Sequence, residues 1–173
     1  ADMPVEPVAT LEFLEITNLY YTYENEKGLQ RQSFAASALT EFTSRINIDK
    51  GRLYETTVTD GVIEAIVTDA AFKNLNLLMN EEYEIYSYKQ KRDEPPLFTV
   101  RIVGLFSAAD NQDLYWYQHI NTLAQSIVID PAILQQLTLD TGVLNIGEQQ
   151  LITAFDYYTF RIQDVDLIES IHA

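Results

Sequence analysis

The stretch LEFLEITNLYYTY at 11–23 mixes β-branched and aromatic residues, with Leu11, Phe13 and Glu15 alternating against Glu12 and Leu14. That composition and partial period of two predict a strand. NEKG then supplies a turn. In SFAASALTEFTSRI, at 33–46, Phe34, Ala38, Phe42 and Ile46 fall at spacings of four with Leu39 beside them. This predicts an amphipathic helix capped by Ser33. A polar, turn-rich segment bounded by Gly51 and Gly61 leads into the apolar run VIEAIVT, a predicted buried strand. Asp69 is placed to cap a short helix over AAFKNLNLL, with Ala71, Phe72, Leu75 and Leu78 on one face and Asn80 as its left-handed end.

Alternation resumes in YEIYSY, and KQKRDEPP reads as a solvated hairpin loop. In LFTVRIVGLF, Phe98, Val100, Ile102 and Gly104 alternate with Thr99, Arg101 and Val103, predicting a strand. The aromatic cluster LYWY follows, and then SIVID, where Asp130 as N-cap and Pro131 at the first helical position predict a helix with Ile133, Leu134 and Leu137 inward. A further strand is expected at LITAFDYYTFRI, and a last helix beginning at Asp164 with Val165, Ile168 and Ile171 inward. Twice the chain reads strand, helix, strand around a β-rich piece, which predicts a mixed α/β (α+β) fold of two small lobes with a β insert.

Composition narrows the function. A chain of 173 residues with 47% hydrophobic content buries a core. Its 26 acidic against 11 basic residues, with no basic run, oppose nucleic acid and anionic membrane surfaces. The absence of cysteine removes disulfides, thiolate chemistry and cysteine-ligated zinc. No run approaches the length of a membrane-spanning helix. The start ADMPVEP and the end DVDLIESIHA look cut, so a fragment of a larger protein is expected.

Few residues carry candidate chemistry. His119 and His172 are far apart in sequence and lack a second imidazole at metal-binding spacing. The acidic groups Glu81, Glu82, Glu84 and Asp164, Asp166, Glu169 lack the pattern of a calcium loop and read as solvated faces. GVLNIGEQ has the glycine spacing of a phosphate loop but carries Glu148 where lysine is required. The turn after VIEAIVT has no glycine and starts a helix with Asp69, which would repel a pyrophosphate. No catalytic, cofactor-binding or metal-binding residue is therefore assigned. A paired-carboxylate glycosidase is the weakest alternative. The remaining feature is Tyr115, Trp116 and Tyr117, the only tryptophan of the chain between two tyrosines. Core packing is one reading of this cluster and a contact patch the other.

The order GRLY, DGVIEAIVTDAAFKNLNLLMNEEYEI, FTVRIVGLF with DLYWYQ, NTLAQSIVIDPAIL and DYYTFRIQDV resembles the outward-facing domain of FtsX-like ABC-transporter permeases of Gram-positive type, similar to the MacB periplasmic core. The similarity runs over about 51–165, with Gly51-Arg52 and Val103-Gly104 as matching pairs and Met79-Asn80-Glu81 departing from the family's Gly-Asp turn. The resemblance implies two βαβ-like porter units, 1–60 and 119–173, with an inserted barrel-like lobe at 61–118. It implies a non-enzymatic domain outside the cell membrane that relays ATP-driven motion to an extracytoplasmic substrate. Its partners would be its own transmembrane helices, a cytoplasmic ABC ATPase subunit, a second permease copy and an unidentified outside substrate or protein. The alternative function is an extracellular ligand- or peptide-binding module using Tyr115, Trp116 and Tyr117.

Overall fold

The computed structural model describes residues 9–116, 120–142 and 145–154, with residues 9–11 and 145–154 described by backbone alone. Among these, the strands are β1 (Ala9–Asn25), β2 (Gly28–Leu39), β3 (Ile46–Gly51), β4 (Val62–Thr68), β5 (Glu82–Ser87), β6 (Phe98–Ala108), β7 (Ser126–Val128) and β8 (Asn145–Ala154). The helices are α1 (Asp69–Asn74) and α2 (Pro131–Thr141), with short 3-10 segments at Phe42–Arg45, Leu114–Trp116 and Thr122–Gln125. The fold is a sheet-dominated α+β domain.

The pairings form a ring. β1 is antiparallel to β2, β2 parallel to β7, β7 antiparallel to β4, β4 parallel to β6, β6 antiparallel to β5, and β5 returns antiparallel to β1. β8 extends the sheet from the first half of β1, and β3 pairs with the last part of β6. Side chains alternate across a strand, so each strand offers one row to the inside of the ring and one to the outside. Leu19 and Tyr21, Phe34, Ala36 and Ala38, Ile63, Ala65 and Val67, and Phe98, Val100 and Ile102 form the inner core. The cavity left within it is only about 10 Å³, so the ring is filled by side chains.

Because β4 and β7 run in opposite senses, the helices that follow them lie at opposite ends of the ring. Ala71 and Leu75 of the α1 segment plug one end, and Ile133 and Leu134 of α2 plug the other. The expected cap of α2 is present: the Asp130 carboxylate accepts from the N–H groups of Ala132 (3.0 Å) and Ile133 (3.2 Å). In α1 the cap is Thr68, whose hydroxyl accepts from the Ala71 N–H. Asp69 stands one position inside and pairs with Lys73. Leu77 turns inward while Leu78 stays exposed, and Asn80 adopts the left-handed conformation.

Two expectations are corrected. Residues 33–46 are not a helix: they form the end of β2, a turn, a 3-10 segment and the first residue of β3. A spacing of four is also a multiple of two, so Phe34 and Ala38 share one face of a strand as readily as of a helix. Long-range pairing to β1 and β7 decides the outcome, and Ser37 on the opposite face bonds the Ser126 hydroxyl at 2.6 Å. With that helix gone, the first strand-helix-strand unit is a β1–β2 hairpin. Nor do the described residues of 61–118 form a separate lobe: β4, β5 and β6 sit in the same sheet between β7 and β1, and share its inner core. The expected helix at Asp164 and the strand beyond Ala154 lie outside the described residues.

Candidate functional site

The two sequence pairs that carry the family resemblance, separated by about fifty residues, meet in space. Gly51 pairs with Gly104 across β3 and β6, and the Arg52 N–H donates to the Val103 carbonyl at 3.0 Å. Neither glycine has room for a side chain. A Cβ on Gly104 would stand 2.2 Å from the Arg52 carbonyl oxygen, and one on Gly51 would stand 2.2 Å from the Val103 oxygen. Gly51 also has φ +74, a region that penalises other residues.

This close approach delivers Arg52 to Glu64 on β4. The guanidinium forks onto the carboxylate at 2.5 and 2.6 Å, and the Glu55 N–H adds a third bond at 2.9 Å. These bonds, the one from Arg52 first, hold the Glu64 carboxyl below its ordinary value against the opposing effect of burial, and Glu64 in turn raises Arg52. Three bonds from protein groups hold the carboxylate in place, as in a structural tie.

The aromatic cluster belongs to the outer core. Tyr115 and Trp116 are each 3% exposed, in a 3-10 segment, packed with Phe42, Phe106 and Leu123. The indole N–H donates to the Arg45 carbonyl (2.8 Å) and the Tyr115 hydroxyl to the Thr40 carbonyl (2.7 Å). Arg45 also pairs with Asp113 at 2.8 Å. Burial pushes the Asp113 carboxyl up, but bonds from Arg45 and the Tyr115 N–H bring it net below the usual range. Packing and hydrogen bonding account for both rings; Tyr117 lies outside the described residues, as do His119 and His172.

Among the described residues no group of His, Asp or Glu is placed to hold a metal. Glu82 pairs with Arg101, and Glu84 accepts from the Tyr86 hydroxyl at 3.1 Å. In the glycine-spaced segment, Gly142 ends α2 in a left-handed conformation and 145–149 belong to β8, an arrangement unlike a phosphate loop.

One open feature was not foreseen from sequence. β1 and β5 pair only at Leu19–Ser87 and Tyr20–Tyr86. Beyond that rung they separate around a cleft of about 440 Å³ lined by Tyr21, Thr22, Glu82, Tyr83, Glu84 and Thr99. The Tyr21 and Tyr83 rings meet edge to face at 4.8 Å beneath it. Tyr21 donates to the Leu75 carbonyl, and the Tyr83 hydroxyl accepts from the Leu78 N–H at 2.8 Å. Burial raises both phenols, Tyr21 to about 12. On the outer face Tyr20 stacks on Tyr86 at 5.6 Å, and Arg31 lies 4.6 Å over the Tyr20 ring.

No protein-family model matches the chain, and a search of curated proteins finds no significant match.

Proposed function

We propose that this chain is the outward-facing domain of an FtsX-like ABC-transporter permease, a non-enzymatic module that relays ATP-driven motion of transmembrane helices to an extracytoplasmic substrate. The observation that carries the reading is the meeting of Gly51-Arg52 with Val103-Gly104: the pairs picked out by resemblance form one junction, closed by the Arg52 to Glu64 fork. In this reading the strand-helix-strand element of the porter architecture is β7–α2–β8, whose two strands run in the same sense with β2 and β1 between them. The ATPase is a separate cytoplasmic subunit, and a filled, cross-tied sheet is suited to moving as one body.

The chain contains no cysteine, so an introduced thiol reports on this domain against the same full-length protein without it. Leu139→Cys, on the exposed side of α2, is placed in the full-length protein in cells and treated with a membrane-impermeant maleimide. Labelling of intact cells is expected. Labelling only after lysis overturns the outside location and the proposal with it.

A further inference from the structure

We infer that the cleft between β1 and β5 is a strand-addition site for an extended peptide that alternates apolar and basic residues. Among the described residues, beyond Tyr20, residues 21–25 of β1 pair with β2 on one side only, and residues 82–85 of β5 pair with β6 on one side only. Two strand edges with unpaired N–H and C=O groups therefore face the same opening. An added strand is the occupant that satisfies such edges. Residues 21–25 offer about 16 Å of edge at roughly 3.3 Å per residue, room for about five residues of extended chain.

The cleft is a built feature. At its closed end the stacked Tyr20 and Tyr86, with Arg31 over Tyr20, clamp the last paired rung from outside. Its floor is the Tyr21 and Tyr83 ring contact, with both hydroxyls tied to the backbone at Leu75 and Leu78. These ties hold the floor rigid, which lowers the ordering cost of binding.

The two faces of an added strand would meet different surroundings. Its inward row would meet Tyr21 and Tyr83, with the exposed Tyr23 beside Tyr21. Its outward row would meet Glu82 and Glu84 of β5 and Thr22 of β1. Glu82 already shares Arg101, and among the described residues Glu84 has only the Tyr86 hydroxyl. Apolar residues inward and basic residues outward fit this arrangement, and the net charge of -15 opposes a second copy of the chain as occupant. The inference stands on the cleft alone and does not depend on a membrane tether.

The test uses the isotope-labelled chain and a short synthetic peptide alternating valine with lysine. Amide exchange and chemical shifts are recorded with and without it. Expected are shifts confined to residues 20–25 and 82–86, and exchange of their edge amides slowed about tenfold. The same peptide N-methylated along one edge is expected to lose this effect, and the valine–glutamate peptide to show none. Glu84→Lys, an exposed change, weakens binding about three- to tenfold. Equal binding by the N-methylated peptide reduces the effect to non-specific charge attraction and overturns the proposal. So does failure of the lysine peptide to bind, or protection of the edge amides already in the free protein.

Discussion

At the β3–β6 crossing and at the β1–β5 seam the same kind of contact, strand beside strand, is resolved in opposite ways. At the first, Gly51 and Gly104 face one another and the backbones press so closely that no Cβ fits. At the second, Tyr21 and Tyr83 fill the space beneath the strands and pairing stops after two rungs. The size of the residues at a seam therefore sets whether a sheet seals or opens. The sealed side is backed by the outer core of Phe42, Phe106, Tyr115 and Trp116, and the open side by the tyrosine floor.

The largest expected effect strikes the backing of the sealed side. Trp116→Ala removes a buried ring that meets Phe42 at 6.0 Å and leaves the Arg45 carbonyl without the indole donor. A loss of about 3–5 kcal/mol is expected in chemical denaturation. A surface contact residue would lose less than about 0.5 kcal/mol, an outcome that would remove Trp116 from the core.

Next is the seal itself. Gly104→Ala drives a methyl into the Arg52 carbonyl and should destabilise by about 3 kcal/mol through overpacking. Gly28→Ala is the control: it has open space but a φ of +92, so only the backbone penalty applies, about 1–2 kcal/mol. Equal losses in the two variants would show that the crossing is not sterically closed.

Glu64→Gln probes the tie across that seal. With its fork to Arg52 weakened, a loss of about 1–3 kcal/mol is expected at neutral pH. Glu64 is held below its ordinary value of 4.5 in the folded chain, so its contribution is complete above that value. It disappears as pH falls through the folded value. The stability difference between the chain and the variant should shrink on acidification; a difference that stays constant with pH would assign the loss to packing.

The smallest effect is expected on the open side. Tyr83→Phe keeps the ring but leaves the Leu78 N–H without its acceptor. The cost should be about 1 kcal/mol, with faster amide exchange at Leu78. No change at that amide would mean the floor is held by ring packing alone.

Local chemistry made several elements legible. Asp130 and Pro131 announce α2 because a cap and a preset φ act within a few residues. The NEKG turn and the proline-bearing loop before β6 are legible for the same reason. Residues 33–46 were not, since Phe34, Ala38 and Phe42 satisfy two periods at once and the choice rests with β1 and β7. For Tyr115 and Trp116, sequence left packing and contact both open, and burial with bonds to Thr40 and Arg45 supplies the packing role.

By itself the sequence determined the turns, the Asp130 cap of α2, most strands, and an acidic, cysteine-free chemistry with no recognisable catalytic set. Tertiary structure decided the rest: that β4, β5 and β6 join one ring with their flanks, that Gly51 meets Gly104, and that β1 parts from β5. Caps and turns are energies of neighbouring residues. Which strands pair, and where pairing stops, depends on contacts between residues distant in the chain, whose energies no local window contains.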